Sequence, residues 1–227
     1  MNIAKKYYEI INLFCRLVSI INFYVFQRPL WKFSYTGNGN NFQCKGRLYG
    51  CKIYIDGHNN DLTIENKVVL FNTEITITGN NNKVLIGENT CIYENGRIRV
   101  QDEGNMVRLG RGVRIIGAFI SSADKYTVID IDDSTLIYSN VIIRSSDSHS
   151  IIDSQGKRIN NGDNVFIGKN VWIGNGATIL KGTTIGDNSV VGTQSLISGK
   201  KFPDNTVIVG NPAKIVKEGI CWCDQRI

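Results

Sequence analysis

The chain has 227 residues, of which 42% are hydrophobic and 20% are charged, with 26 lysines and arginines against 20 aspartates and glutamates. This composition is typical of a globular protein, and it excludes wholesale disorder and a collagen-like repeat. The formal net charge of +6 suits a phosphate-bearing cofactor, an acidic glycan or an anionic membrane surface. Nucleic acid is not expected as a partner, because the sequence has no dense basic stripe interleaved with aromatic residues.

Residues 1–33 are predicted to form a helical segment. Apolar residues such as Ile3, Tyr7 and Phe14 recur at helical spacing, and Lys5 adds positive charge to the other side. The segment is expected to pack on the rest of the fold or at a subunit interface. The alternative is peripheral contact with the inner face of the membrane, where a basic amphipathic helix can lie.

The cellular location is predicted from the cysteines and the N-terminal sequence. The six cysteines have no C-x-x-C spacing, so reduced thiols in the cytoplasm are expected. Cys221 and Cys223 could chelate a metal, but no third or fourth ligand is evident nearby. No convincing cleavable signal is present, and the apolar run 10–26 is shorter than the roughly 20 residues that a spanning helix needs.

A repeat of six residues governs the C-terminal half of the chain. From Ile167 it reads IGKNVW, IGNGAT, ILKGTT, IGDNSV, VGTQSL and ISGKKF, with an aliphatic residue at the start of every hexad. A period of six fits neither one helix nor one long strand, but it fits short strands joined by sharp corners. The hexads therefore predict an all-β solenoid with three hexads to a triangular turn and a spacing of about 4.8 Å between turns.

The same organisation continues upstream with longer units. Segments 55–64, 77–86 and 101–110 share a Gly-(x)-Asn corner followed by an apolar strand. The β-helix is therefore predicted to span 34–217, followed by a C-terminal tail at 218–227. Interruptions near 121–135 and 145–163 are predicted to be loops, which often carry function on a rigid scaffold.

Four motifs together resemble one family. They are the hexads at 167–198, NVWIG at 170–174, GNPAK at 210–214 and DSH at 147–149. The chain resembles the left-handed β-helix (hexapeptide-repeat) acyltransferases, and more narrowly the sugar O-acetyltransferases of bacterial surface polysaccharides. The resemblance covers about residues 50–217. It implies a left-handed parallel β-helix, a homotrimer with active sites between neighbouring subunits, acetyl-CoA in the cleft and a histidine as general base.

His149 is the candidate general base. The chain has only two histidines, His58 and His149, and His149 matches the position of the family's catalytic histidine. Histidine is the natural base for acetyl transfer to a hydroxyl at neutral pH. Asp147 is the second candidate, since two residues apart on a strand would place both side chains on one face, where the carboxylate could orient the imidazole. The alternatives are a surface-loop histidine and a turn-forming aspartate.

The resemblance also implies the residues that bind the acyl donor. Trp172 would shape the pantetheine channel near the thioester, unless it serves only as a subunit-interface aromatic residue. The other implied contacts are Asn175, Thr193 and Ser198 to the pantetheine arm, and Lys200, Lys201, Lys214 and Lys217 to the anionic phosphates of CoA. No metal is required, because the acetyl thioester is already activated.

The sequence thus predicts an acetyl-CoA-dependent O-acetyltransferase that acts on a sugar hydroxyl of a capsule, an O-antigen or an exopolysaccharide. An amino-sugar N-acetyltransferase is one alternative, although such relatives often carry an extra nucleotide-binding domain, for which 1–33 is too short. A non-catalytic β-solenoid scaffold is the other. A carbonic anhydrase of the same solenoid class would need three histidines on one zinc, and this chain has two.

Overall fold

A computed structural model describes residues 31–225, which fold into 23 β-strands. Most of the predicted N-terminal helical segment lies outside the described residues, but β1 begins at Lys32, inside the predicted range. The strands form three faces, in which the strands of successive coils pair in parallel, and only the last of the described strands pairs antiparallel. No helix long and apolar enough to cross a membrane is found in the described part of the chain.

The three faces follow from the strand pairings. Face 1 contains β1 (Lys32–Thr36), β4 (Lys52–Asp56), β7 (Glu74–Thr78), β10 (Arg97–Val100), the C-terminal parts of β12 (Arg114–Ser122) and β14 (Leu136–Arg144), β17 (Thr178–Ile179) and β20 (Leu196–Ile197). Face 2 contains β2 (Asn41–Cys44), β5 (Asp61–Ile64), β8 (Lys83–Ile86), β11 (Met106–Leu109), β13 (Val128–Ile131), β15 (Val165–Ile167), β18 (Thr183–Ile185) and β21 (Lys201–Phe202). Face 3 contains β3 (Arg47–Tyr49), β6 (Val69–Phe71), β9 (Cys91–Ile92), the N-terminal parts of β12 and β14, β16 (Trp172–Ile173), β19 (Val190–Val191) and β22 (Thr206–Gly210), with β23 (Ala213–Glu218) antiparallel to β22.

The core is a stack of aliphatic side chains. One column on face 1 consists of Ile53, Ile75, Ile98, Ile120, Ile143, Ile179 and Ile197, which are register partners and at most 2% exposed. All six aliphatic residues that begin the predicted hexads are likewise buried. Alternate residues of each strand point outward, so each coil packs its aliphatic residues on the next. This confirms the predicted all-β solenoid and the inward position of the hexad aliphatics.

The coils differ in length, and the corners explain the difference. Thr178 pairs with Leu196, 18 residues on, which is three hexads, whereas Lys52 pairs with Glu74, 22 residues on. The longer coils carry the predicted Gly-(x)-Asn corner between faces 1 and 2. There the buried Asn82 accepts a hydrogen bond from the N–H of Asn105 (2.9 Å) through its side-chain oxygen, as Asn60 does from Asn82. We call this stack, which includes Asn40, the asparagine ladder.

The predicted loop at 121–135 is wrong. This stretch contains β13, which pairs in register with β11 and β15. Its outward Asp130 is neutralised by Arg108 at 2.7 Å, and Asp124 and Tyr126 adopt positive φ at the preceding corner. The stretch departs from the repeat in the sequence, but it keeps the strand pairing of the solenoid. The longest interval between consecutive described strands is 145–164, between β14 and β15, and we call it the excursion.

Candidate active site

The two ends of the excursion are fixed to each other and to the stack. Ser145, which is fully buried, lies with its Oγ 2.8 Å from the Oγ1 of Thr127 at the end of the asparagine ladder. The carbonyl of Ser145 accepts a hydrogen bond of 2.9 Å from the N–H of Asp163. The chain therefore leaves and re-enters the solenoid at one point, as a closed loop on a rigid base.

A salt bridge holds the middle of the excursion against the previous corner. The guanidinium of Arg158 donates to both carboxylate oxygens of Asp124, at 2.9 and 2.7 Å, and the hydroxyl of Ser146 donates to the same carboxylate. Burial by itself would raise the pKa of Asp124, but the hydrogen bonds from Arg158 and Ser146 outweigh it and lower that pKa below its usual value. This salt bridge attaches the excursion to the solenoid at a second place, in addition to the contacts of Ser145.

Asp147 does not bond to the imidazole, which corrects the predicted contact. Its Oδ2 accepts hydrogen bonds from Nζ of Lys181 at 2.5 Å and from Nδ2 of Asn160 at 2.8 Å. The hydrogen bond from Lys181 is the main reason why the pKa of Asp147 is lowered. The expectation failed because residues 147–149 are not in a strand, and Ser148 has a φ of 67°, so strand alternation does not apply.

Asp147 is instead connected to His149 through the backbone. The Nδ2 of Asn160 donates to the carboxylate of Asp147 and also to the carbonyl of His149, both at 2.8 Å. Nζ of Lys181 in turn donates to the carbonyl of Asn160 at 2.9 Å. This bracket of Asp147, Asn160 and Lys181 fixes the main chain that carries His149.

The His149 side chain is exposed, and within residues 31–225 its imidazole nitrogens take part in no hydrogen bond. An imidazole in this state has both nitrogens available to a ligand hydroxyl. His58 differs, because its Nδ1 accepts the N–H of Asn38 at 3.1 Å within a corner of the solenoid. The two histidines therefore have different surroundings, and His149 is the one whose imidazole makes no hydrogen bond among the described residues.

Trp172 lies on face 3, away from the excursion in the same chain. The residue is 37% exposed, and its ring lies between Tyr138 and Trp222, with centroid distances of 6.2 and 5.8 Å. Trp222 is held there by a hydrogen bond from its Nε1 to the carbonyl of Asn170, and Asp224 of the same tail pairs with Arg114. The C-terminal tail therefore lies along face 3 and builds one side of an aromatic cluster with Trp172.

The other predicted donor-binding residues divide between two sides of the solenoid. Asn175 and Thr193 lie at the corner between faces 3 and 1, near Trp172. Ser198 and Lys200 lie at the corner between faces 1 and 2, on the side of His149, with Lys201 in β21 and both Lys214 and Lys217 in β23. Within one chain, the predicted site residues therefore do not come together.

Sequence reasoning missed Lys181 and Asn160. The signal for Lys181 was present, since the hexad at 179 has no glycine after its aliphatic residue and continues with Leu180 and Lys181. Because Ile179 pairs with Ile143, Lys181 lies one coil after Ser145, with which the excursion begins. Asn160 had no signal, because its position depends on the path of an irregular segment. Among residues 31–225, no three His, Cys, Asp or Glu side chains are grouped as metal ligands.

Comparison with known proteins identifies the family. The family model described as "Bacterial transferase hexapeptide (six repeats)" matches residues 164–199. The crystal structure of the polySia-specific acetyltransferase NeuO is 32% identical, with a TM-score of 0.74 over 87% of this chain and 91% of that chain. The chain belongs to the hexapeptide-repeat acyltransferases. The predicted resemblance to the left-handed β-helix sugar O-acetyltransferases is thereby confirmed.

Two further members of the hexapeptide-repeat acyltransferases are similar to the chain. The structure of the polysialic acid O-acetyltransferase OatWY is 28% identical, with a TM-score of 0.67 over 87% of this chain and 92% of that one. A polysialic acid O-acetyltransferase of Escherichia coli O1:K1 / APEC is 38% identical over 135 residues, which are 58% of this chain. The aligned region spans only 43% of that curated relative's length.

Proposed function

We propose that the protein transfers an acetyl group from acetyl-CoA to a hydroxyl of an acidic capsular polysaccharide, with His149 as general base. The single observation that carries this proposal is the open imidazole of His149 on a main chain fixed by Asn160. Similar proteins are named as polysialic acid O-acetyltransferases, which supports an acidic sugar polymer as the acceptor. We also propose that the reaction occurs in the cytoplasm, where acetyl-CoA is available and the thiols stay reduced.

The reaction needs one proton transfer and one acyl transfer. His149 accepts the proton of the acceptor hydroxyl as the oxygen attacks the thioester carbonyl carbon, so that a C–O bond forms and the C–S bond breaks. The imidazolium then returns the proton to the departing thiolate of CoA. Acetyl-CoA supplies the activated thioester when bound, and the chain's own contribution is positioning and the base. The bracket through Asn160 holds His149 for this step.

The residues available for the donor fit its chemistry. Lys200, Lys201, Lys214 and Lys217 are exposed at the C-terminal end of the solenoid, and none has a carboxylate partner among the described residues. Nζ of Lys200 donates to the carbonyl of Ala213 at 3.3 Å, so the corner before β21 lies beside β23. Ammonium groups without a carboxylate partner at this end of the solenoid suit the phosphates of CoA.

We propose a homotrimer because the site is incomplete in one chain. His149 projects from the corner between faces 1 and 2, whereas Trp172, Asn175 and Thr193 lie on or next to face 3. A neighbouring subunit that presents its face 3 to this corner would complete the site. Cyclic symmetry would then produce three identical clefts.

The test is the release of CoA thiol from acetyl-CoA by the full chain. Polysialic acid, a neutral dextran and an amino-sugar polymer are offered as acceptors in parallel. The proposal predicts release that depends on polysialic acid or another acidic capsular polymer, with an alkali-labile ester in the product. Release that occurs only with the amino-sugar polymer, or no release together with no binding of acetyl-CoA, would contradict the proposal.

A further inference from the structure

The outward side of face 1 is unusually rich in unpaired cations. Parallel register places outward side chains of successive coils next to each other, at about 4.8 Å. One row of register partners is Lys52, Glu74, Arg97, Phe119 and Ile142, and the neighbouring row is Tyr54, Thr76, Arg99, Ser121 and Arg144. Arginine therefore occurs in both rows at β10, as Arg97 and Arg99, and again in the second row at β14, as Arg144.

The arginines of the described chain fall into two groups. Four of them form ion pairs with carboxylates, and these are Arg108, Arg111, Arg114 and Arg158. The other four described arginines have no carboxylate of residues 31–225 within ion-pair distance, and these are Arg47, Arg97, Arg99 and Arg144. Three of these unpaired guanidiniums lie on face 1. Glu74 and Glu94 lie near Arg97, but neither forms an ion pair with it within the described residues.

An aromatic ring lies between these charges. The guanidinium carbons of Arg97 and Arg99 are 4.8 and 5.9 Å from the centroid of the Phe119 ring. Arg97 and Phe119 also line a surface cavity of about 320 Å³, together with Ser139 and the exposed Ile142. Guanidiniums that bind carboxylates, beside an apolar ring that packs on a sugar face, form a surface typical of recognition of acidic sugars.

The cationic surface continues to His149. Arg144 ends β14, and its Nη2 donates to the hydroxyl of Ser148 at 2.6 Å, next to His149 in the chain. Its Nε is buried and has no hydrogen-bond partner in the described structure. Arg144 therefore lies between the part of face 1 that carries Arg97 and Arg99 and the excursion that carries His149.

We propose that face 1, from Arg97 and Arg99 through Phe119 to Arg144, is an extended binding track for an acidic polysaccharide that leads the acceptor to His149. The proposal rests on the proposed function and adds the surface that selects the acceptor. Two coils separate Arg99 from Arg144, about 10 Å at the usual strand spacing, so the track contacts more than one sugar unit. Long acidic chains are then bound more tightly than short or neutral ones.

The test compares the double variant Arg97→Gln/Arg99→Gln with the control Arg47→Gln, which removes the unpaired arginine of face 3. Binding is measured by retardation in native gels that contain long polysialic acid, other acidic polysaccharides or neutral dextran. Since an exposed ion pair is worth little alone, we expect about five- to tenfold weaker binding of the acidic polymer that retards wild type. Arg47→Gln should bind as wild type does, and added salt should weaken wild-type binding more than that of the double variant.

Kinetics separate this proposal from the proposed function. The double variant should have a raised KM for a long acidic acceptor, with unchanged kcat and unchanged KM for acetyl-CoA, and the defect should shrink for short oligosaccharides. An active enzyme whose acceptor KM is the same in the double variant would overturn the track and leave the activity standing. A change of oligomeric state in the double variant, measured by sedimentation, would also overturn it, because face 1 would then be covered by a second copy.

Discussion

Nζ of Lys181 lies 2.5 Å from Oδ2 of Asp147, although the two residues are 34 positions apart in the chain. Lys181 also donates to the carbonyl of Asn160, whose amide holds the carbonyl of His149. The ion pair of Asp147 and Lys181 therefore helps to fix the main chain at His149. Asp147 acts here as a positioning residue, and it does not touch the imidazole.

Removal of the Asp147–Lys181 ion pair should lower kcat and leave the free energy of unfolding nearly unchanged. We expect Lys181→Met and Asp147→Asn each to reduce kcat about tenfold, with little change in the KM for acetyl-CoA. The free energy of unfolding should change by less than about 1 kcal/mol, because the pair is partly exposed. The double variant should be no worse than either single variant, and Lys181→Arg should restore part of kcat. Lys169→Met, at an exposed lysine of another corner, is the control, and a simple product of the two single defects would contradict the coupling.

The division of site residues between two sides of one chain predicts complementation between subunits. His149→Ala and Trp172→Ala chains, each strongly impaired alone, should regain activity when they are co-expressed and assembled together. In a random trimer about one cleft in four combines an intact His149 with an intact Trp172 from the neighbour. Activity near a quarter of wild type is therefore expected in the mixture. A mixture no more active than the sum of its parts would show that each chain forms its site alone.

The carboxylates of Asp124 and Asp147 make the excursion sensitive to acid. Both have a lowered pKa in the folded protein, so they stabilise the excursion above the ordinary aspartate value of about 3.9, and this contribution is lost as the pH falls through their folded values. The protection factors for hydrogen exchange of residues 145–164 should therefore fall below about pH 4, before those of the aliphatic stack. Asp124→Asn should have lower protection factors in the excursion already at neutral pH. Protection factors of the excursion and the stack that fall together would contradict this account.

The asparagine ladder should contribute to stability at single positions. Asn82 is 1% exposed, and its side-chain amide bonds to the carbonyl of Asp102 and to the N–H of Asn105, both in the next coil. Asn82→Ala leaves the N–H of Asn105 buried without a partner, which should cost about 1–3 kcal/mol in the free energy of unfolding by urea. The exposed Asn161 has no comparable role, and Asn161→Ala should change stability by less than about 0.5 kcal/mol. Equal effects of the two substitutions would argue against the ladder.

The fold was predictable to the extent that it repeats. The period of six from Ile167 onward locates the inward residue of each strand from β15 to β20, and the recurrent Gly-(x)-Asn pattern locates the corner at which Asn82 stacks. The pattern failed at β13, because the sequence there departs from the repeat although Asp130 remains the register partner of Arg108, 22 positions earlier. Composition along the chain does not record such pairings between coils.

The site was predictable only in part for the same reason. The motif around His149 is local, and it identified the proposed base. The contacts of Asp147 with Lys181 and Asn160 depend on how the next coil packs and on the path of the excursion. No repeat in the sequence predicts either of them. Arg97 and Arg99 lie in one strand, but Phe119 and Arg144 are brought to them only through the register of β10, β12 and β14.

The central claim is that His149 is the base of an acetyl transfer, and the chain offers a matched control in its other histidine. The measurement is acceptor-dependent release of CoA thiol by wild type, His149→Ala and His58→Ala, with acetyl-CoA binding measured in parallel. We expect His149→Ala to lose about a hundred- to ten-thousandfold in kcat while it still binds acetyl-CoA, and His58→Ala to remain close to wild type. A His149→Ala protein that releases thiol at the wild-type rate would contradict the account.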